Sequence, residues 1–198
     1  MKQLLITGFD PFGGERINPA WEAVKCLPDT VGEYALTKLQ IPTVYSRAAE
    51  TVFDAVSAMP TAPDVILCIG QAGGRAAVTP EFVAINYRRA SIADNAGTLI
   101  SESPILADAP AAYFATVPVQ RMTAAITDAG IRAQTSYSAG TFVCNDVLYL
   151  LLHRFSSGQT QVGFIHVPFL PEQAKIETTP TMPLCDIARA LCAAITAL

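Results

Sequence analysis

The stretch Asp64-Val-Ile-Leu-Cys-Ile-Gly-Gln-Ala-Gly-Gly-Arg75 decides the fold class, because it runs from an unbroken apolar segment straight into a glycine-rich turn. Between Asp64 and Gly70 no polar side chain interrupts the run. A strand without apolar–polar alternation is one covered on both faces, as in the parallel sheet of an α/β protein, and Cys68 within it reads as inert core. The Gly70-Gln-Ala-Gly-Gly-Arg75 loop then sits at the strand's end, where backbone can approach a ligand closely. No Lys-Ser or Lys-Thr follows it, which excludes a Walker-type phosphate loop.

Working outward, Leu4-Leu-Ile-Thr7 reads as a second buried strand, and Gly8-Phe-Asp-Pro-Phe-Gly-Gly14 as its loop. Asn18 as N-cap and Pro19 at the first helical position then open a helix through Trp21, Val24 and Leu27 to Pro28. This loop is not Gly-x-Gly-x-x-Gly, so the sequence gives little support for a dinucleotide. Phe9 and Phe12 either anchor it to the core or line a pocket, and the residues leave both readings open. Further along, 35–41 reads as a strand, 46–59 as an amphipathic helix, 118–128 as a helix closed by Gly130, 131–139 and 161–167 as strands, and the segment from Pro183 as a final helix. Residues 77–115 are an excursion from the main sheet, with a candidate strand at 82–87. The whole predicts one α/β domain spanning 1–198.

Composition narrows the function. The chain has 198 residues, 51% hydrophobic and 15% charged, enough for a sizeable core. A net charge of −4 offers no basic footprint for nucleic acid or an anionic membrane. The N-terminus has neither a signal peptide nor a spanning segment, which predicts a cytoplasmic protein. Five scattered cysteines with no Cys-x-x-Cys suggest neither a disulfide framework nor a zinc site.

One of those cysteines stands out. In Ser138-Ala-Gly-Thr-Phe-Val-Cys-Asn-Asp-Val-Leu-Tyr-Leu-Leu-Leu-His153, Cys144 lies between a glycine turn and a helical pattern for which Asn145 or Asp146 would be the N-cap. A thiol at a helix N-terminus faces unpaired N–H groups and the positive dipole end, which favour thiolate and could hold an oxyanion. A buried structural cysteine is the competing reading. A nucleophilic thiol needs a base, and the chain has only two histidines. His153 would lie about 13 Å farther along the same helix axis and cannot reach back. His166, near the end of a strand and before a proline, is left by elimination, against the plainer reading of a hydrogen-bonded core histidine. For an orienting acid, Glu81 and Asp94 are both candidates. Thr79-Pro80-Glu81 also fits a helix start, and the residues leave these alternatives balanced.

Four blocks, in order, resemble the cytosolic pyroglutamyl peptidases. They are Gly8-Phe-Asp-Pro-Phe-Gly-Gly14 with Asn18-Pro19; Gly70-Gln-Ala-Gly-Gly-Arg75 with Thr79-Pro-Glu81 and Ala84-Ile-Asn86; Ser138-Ala-Gly-Thr-Phe-Val-Cys-Asn145; and His166-Val-Pro-Phe-Leu-Pro-Glu-Gln173. The resemblance implies a cysteine peptidase that removes an N-terminal pyroglutamyl residue with a triad of Cys144, His166 and Glu81. Phe9 and Phe12 would clamp the lactam ring, and Asn18 and Gln71 would seat its polar edge. It further implies a single-domain α/β/α sandwich with a twisted, mostly parallel sheet, no cofactor, no metal, and a homo-oligomer, dimer or tetramer. Two positions depart from the family's usual pattern: Phe82 replaces a basic residue and Ser91 an arginine.

Overall fold

A computed structural model describes all of residues 1–198. The main sheet consists of β1 (Lys2–Phe9), β2 (Thr30–Val31), β3 (Tyr34–Ile41), β4 (Val65–Gln71), β5 (Thr79–Pro80) and β8 (Gln161–Val167), in the order β2-β3-β1-β4-β8-β5. β3, β1, β4 and β8 are mutually parallel, and only the short edge strands β2 and β5 run antiparallel. A separate two-stranded ribbon pairs β6 (Val83–Ile85) with β7 (Ala112–Phe114). The α/β reading therefore holds.

Side chains alternate across the sheet and feed two cores. Leu4, Ile6, Leu67, Ile69 and Ile165 face one layer of helices, α1 (Pro19–Cys26), α3 (Val119–Asp128) and α5 (Leu184–Thr196). Leu5, Phe9, Ile66, Cys68 and Phe164 face the other, α2 (Arg47–Ala58) and α4 (Val143–Phe155). Each large aliphatic buried this way contributes about 1.5–3 kcal/mol relative to exposure, which explains why β1, β4 and β8 are apolar on both sides. Asn18 caps α1 as its sequence predicts, its side chain accepting from Ala20 N at 3.1 Å with Pro19 following.

Three local expectations change. Residues 131–139 do not form a strand; they run extended and touch the sheet through isolated bridges, Val78 with Ala133 and Glu81 with Ser136. Thr79-Pro80 is not a helix start but pairs with β8, opposite His166 and Ile165. Helix α4 begins at Val143, earlier than a cap at Asn145 or Asp146 would allow, because those side chains are engaged elsewhere. Asn145 Oδ1 accepts from Ile85 N at 2.9 Å while its Nδ2 donates to the Ile85 and Tyr87 carbonyls. Asp146 accepts from Arg88 at 2.5 Å and from Ser46 N at 2.7 Å. Together they fasten the 77–115 excursion and the start of α2 to α4.

Gly8 shows how closely the layers approach. A Cβ there would lie 2.7 Å from Trp21 Cα and 2.8 Å from Trp21 N, both backbone atoms of α1 that cannot rotate away. Gly8→Ala is expected to cost about 1–3 kcal/mol of stability, read as a lowered Tm in thermal unfolding.

Candidate active site

The parallel strands end on one edge of the sheet, and the sequence-predicted residues gather there. His166 is on β8, in register with Gly70 of β4, and shares its sheet face with Phe164 and α4. Gly70 has no side chain, and the space is used: a Cβ there would stand 3.1 Å from Cys144 Sγ and 2.6 Å from the Phe164 ring. The sulfur therefore rests on the strand position directly beside His166.

Cys144 is the second residue of α4, half-buried. The first i→i−4 bond of that helix runs from Asp146 N to Phe142 O at 3.2 Å, so the N–H groups of Val143, Cys144 and Asn145 have no helical acceptor. The Cys144 N–H meets its own sulfur, and free N–H groups at a helix start are the kind of donor that can hold an oxyanion. The expectation of a thiolate changes, however. Burial and the nearby Glu81 carboxylate push the thiol up to about 12, outweighing Arg75 and the helix-start N–H.

Of the two acids weighed from the sequence, Glu81 is the one beside the histidine. Its Oε1 accepts from His166 Nδ1 at 2.7 Å and from Arg75 Nη1 at 2.6 Å, in a fully buried setting. Burial opposes ionisation of Glu81, but the bond and charge of His166, with Ser136 and Arg75, hold the carboxyl below its ordinary value. Burial likewise lowers His166, and Glu81 offsets this only in part. Asp94 serves its own loop instead, its carboxylate accepting from the backbone of Tyr45, Ala96 and Thr98. His153 is exposed and bonds Tyr113 Oη at 2.8 Å.

The aromatic positions separate. Phe9 is 2% exposed and packs against Phe164, which makes it a core anchor. Phe12 is half-buried against Phe142, ring centroids 6.0 Å apart, and Phe142 also meets Tyr45 edge-on at 5.4 Å. Phe142 lines an open cavity of about 560 Å³ together with Arg89, Ala90, Ser91, Ile92 and Thr141, at the start of α4. Neither Phe142 nor Ile92 was singled out from the sequence, where the first lies in the turn before Cys144 and the second in the 77–115 excursion. Both polar atoms of Asn18 are engaged in structure, Oδ1 as the α1 cap and Nδ2 on the Asp10 carbonyl at 2.9 Å. Gln71 ends β4, its Oε1 accepting from Gln173. Of the two departures, Ser91 lines the cavity, whereas Phe82 packs on Phe114 and Tyr137.

The chain is similar to known proteins along its whole length. The sequence model described as pyroglutamyl peptidase matches residues 2–198. A pyrrolidone-carboxylate peptidase of Levilactobacillus brevis is 48% identical, covering 99% of this chain and 97% of the relative, and one of Bacillus thuringiensis is 45% identical over 96% and 90%. The crystal structure of Bacillus amyloliquefaciens pyroglutamyl peptidase I superposes with a TM-score of 0.95 at 42% identity, covering 100% of this chain and 96% of that one. A variant pyrrolidone carboxyl peptidase of Pyrococcus furiosus gives 0.92 at 35% identity, over 98% and 97%. No helix is long and apolar enough to cross a membrane. With the family matched from end to end and the fold superposing throughout, this chain belongs to the pyroglutamyl peptidase family.

Proposed function

We propose that this enzyme removes the N-terminal pyroglutamyl residue of peptides by acyl transfer to Cys144, with His166 carrying the proton and Glu81 orienting the imidazole. The observation that carries the reading is the placement of the thiol beside the histidine's strand position: Cys144 Sγ is seated over Gly70, whose register partner His166 is held by Glu81 at 2.7 Å. Glu81 occupies Nδ1, so Nε2 is the nitrogen left to serve the sulfur.

With burial and Glu81 raising the thiol, deprotonation accompanies attack. His166 Nε2 takes the thiol proton as the S–C bond forms, and the N–H groups at the start of α4 hold the oxyanion. The imidazolium, stabilised by Glu81, gives that proton to the departing amine, leaving a thioester. His166 then takes a proton from water, which hydrolyses the thioester and restores the thiol. A lactam has no free α-amine, so recognition rests on ring shape and amide hydrogen bonds; the Phe12–Phe142 aromatic contact supports the first, and resemblance assigns the second to Gln71. The same reading carries the expectations of a cytoplasmic enzyme that works without a cofactor as a homo-oligomer, supported by resemblance.

A pyroglutamyl-amide reporter tests this directly. The unsubstituted protein is expected to release the reporter amine, and Cys144→Ala to reduce release to background with an unchanged circular dichroism spectrum; turnover by that variant would overturn the assignment. Glu81→Gln, which removes the charge behind the imidazole, is expected to lower kcat/KM by about 10²–10⁴-fold. The proton states predict a pH signature. His166 must be neutral to accept, and its pKa lies below the ordinary 6.5, so activity is lost only as pH falls below that value. Iodoacetamide labelling of Cys144 should keep accelerating above pH 9, since the thiol titrates near 12; a plateau at neutral pH would indicate a preformed thiolate.

A further inference from the structure

The cavity of about 560 Å³ at the start of α4 is larger than a single five-membered lactam fills, and its lining is not neutral. Arg89 is the one ionisable residue among the six that line it; Ala90, Ser91, Ile92, Thr141 and Phe142 carry no charge. The backbone of Arg89 is fastened to the turn that leads into the helix. Its N–H donates to the Thr141 carbonyl at 3.1 Å, and Thr141 Oγ1 donates to the Arg89 carbonyl at 2.7 Å. Thr141 stands three residues before Cys144, so the residue that brings a cation to the cavity is tied to the turn that delivers the thiol.

Other arginines at this end of the sheet are already matched. Arg75 pairs with Glu81 at 2.6 Å and Arg88 with Asp146 at 2.5 Å. Arg89 is exposed and forms no salt bridge. The acids nearby in the chain are engaged elsewhere: Asp94 accepts from the backbone of Tyr45, Ala96 and Thr98, and Glu102 acts on the Tyr87 hydroxyl. A guanidinium free of a protein partner can exchange its water for a carboxylate, held by two parallel N–H bonds. The positive dipole end of α4, which the cavity adjoins, favours an anion in the same place.

The chemistry of the substrate says where that carboxylate comes from. In a pyroglutamyl peptide the ring is uncharged and its own carboxyl group is taken up in the scissile amide, so every carboxylate belongs to the leaving peptide. We propose that Arg89 is a specificity-determining residue, binding a carboxylate of the leaving peptide in this cavity. The inference rests on the substrate reading proposed for this site and extends it to the other side of the scissile bond. The carboxylate is either an acidic side chain next to the pyroglutamyl group or the C-terminus of a short leaving group.

Four peptides test it, with released pyroglutamate measured by chromatography: pyroglutamyl-glutamate amide, its neutral counterpart pyroglutamyl-glutamine amide, pyroglutamyl-glutamine with a free C-terminus, and pyroglutamyl-lysine amide. The expected result is a kcat/KM about 3–10-fold higher for a carboxylate-bearing peptide than for the neutral amide, a ratio that falls toward one in concentrated salt. Preference for the glutamate amide identifies a side-chain carboxylate as the ligand; preference for the free acid identifies the C-terminal one. Arg89→Gln should abolish the ratio, Arg89→Lys should keep part of it, and Arg89→Glu should invert it in favour of the lysine peptide. All three substitutions leave the bonds to Thr141 in place, since both use backbone atoms of Arg89. Equal kcat/KM for charged and neutral peptides, or a preference for carboxylate that survives Arg89→Glu, overturns this inference alone. Release of pyroglutamate from none of the four by the unsubstituted protein overturns the substrate reading and this inference together.

Discussion

The Phe164 ring and the Cys144 sulfur of helix α4 share the end of the sheet because Gly70 has no side chain. Any Cβ there would stand 2.6 Å from the Phe164 ring and 3.1 Å from Cys144 Sγ, so the absent methyl group is the space the sulfur and ring occupy. The register of β4 with β8 then sets His166 beside that space, and the antiparallel edge strand β5 brings Thr79 opposite His166, two positions before Glu81. Thiol, imidazole and carboxylate thus converge on one edge from α4, β8 and the residue just past β5. Their spacing in sequence carries no trace of this. What brings them together is strand register and one tolerated close approach.

Buried charge accounts for much of the remaining architecture. Asp146, fully buried on α4, is shared between the Arg88 side chain and the backbone of Ser46, and Arg88 in turn reaches Ser46 Oγ at 2.8 Å. Ser46 is the only non-glycine residue with a positive φ, +58°, and these bonds hold it there at the start of α2. Arg75 plays a comparable part on the other side, joining Glu81, Thr79 and the Ser138 carbonyl and so tying the second glycine loop to the extended segment that leads into α4. Removing one partner of such a pair leaves an uncompensated buried charge, which is why these ties are costly to break.

The same burial governs the chemistry. A helix N-terminus and Arg75 favour a thiolate at Cys144, yet desolvation and the Glu81 carboxylate outweigh them. His166 is lowered by burial as well, so in the proposed mechanism a proton moves from thiol to imidazole during attack. Glu81 remains ionised because it has two cationic or donating neighbours in place of water. The carboxylate that raises the thiol also steadies the imidazolium formed when the thiol proton leaves.

The sequence by itself determined the parts that depend on local pattern. The doubly apolar runs at β1, β4 and β8 announced a covered parallel sheet, Asn18-Pro19 announced the start of α1, and the scarcity of histidines left His166 as the candidate base. Four motif blocks carried the family. Only the tertiary structure decided the rest, because the deciding contacts are long-range. Glu81 and Asp94 are equally plausible acids until β5 pairs with β8 and sets one of them against the imidazole. Asn145 and Asp146 have the chemistry of helix caps until Ile85 and Arg88 engage them, and the helix begins before them instead. Phe9 and Phe12 look alike in the loop, but the packing of Phe164 buries one and leaves the other beside Phe142. The resting charge of Cys144 was beyond the sequence for the same reason: the helix that favours a thiolate is written locally, whereas the burial that prevents it exists only once the chain has folded around the sulfur.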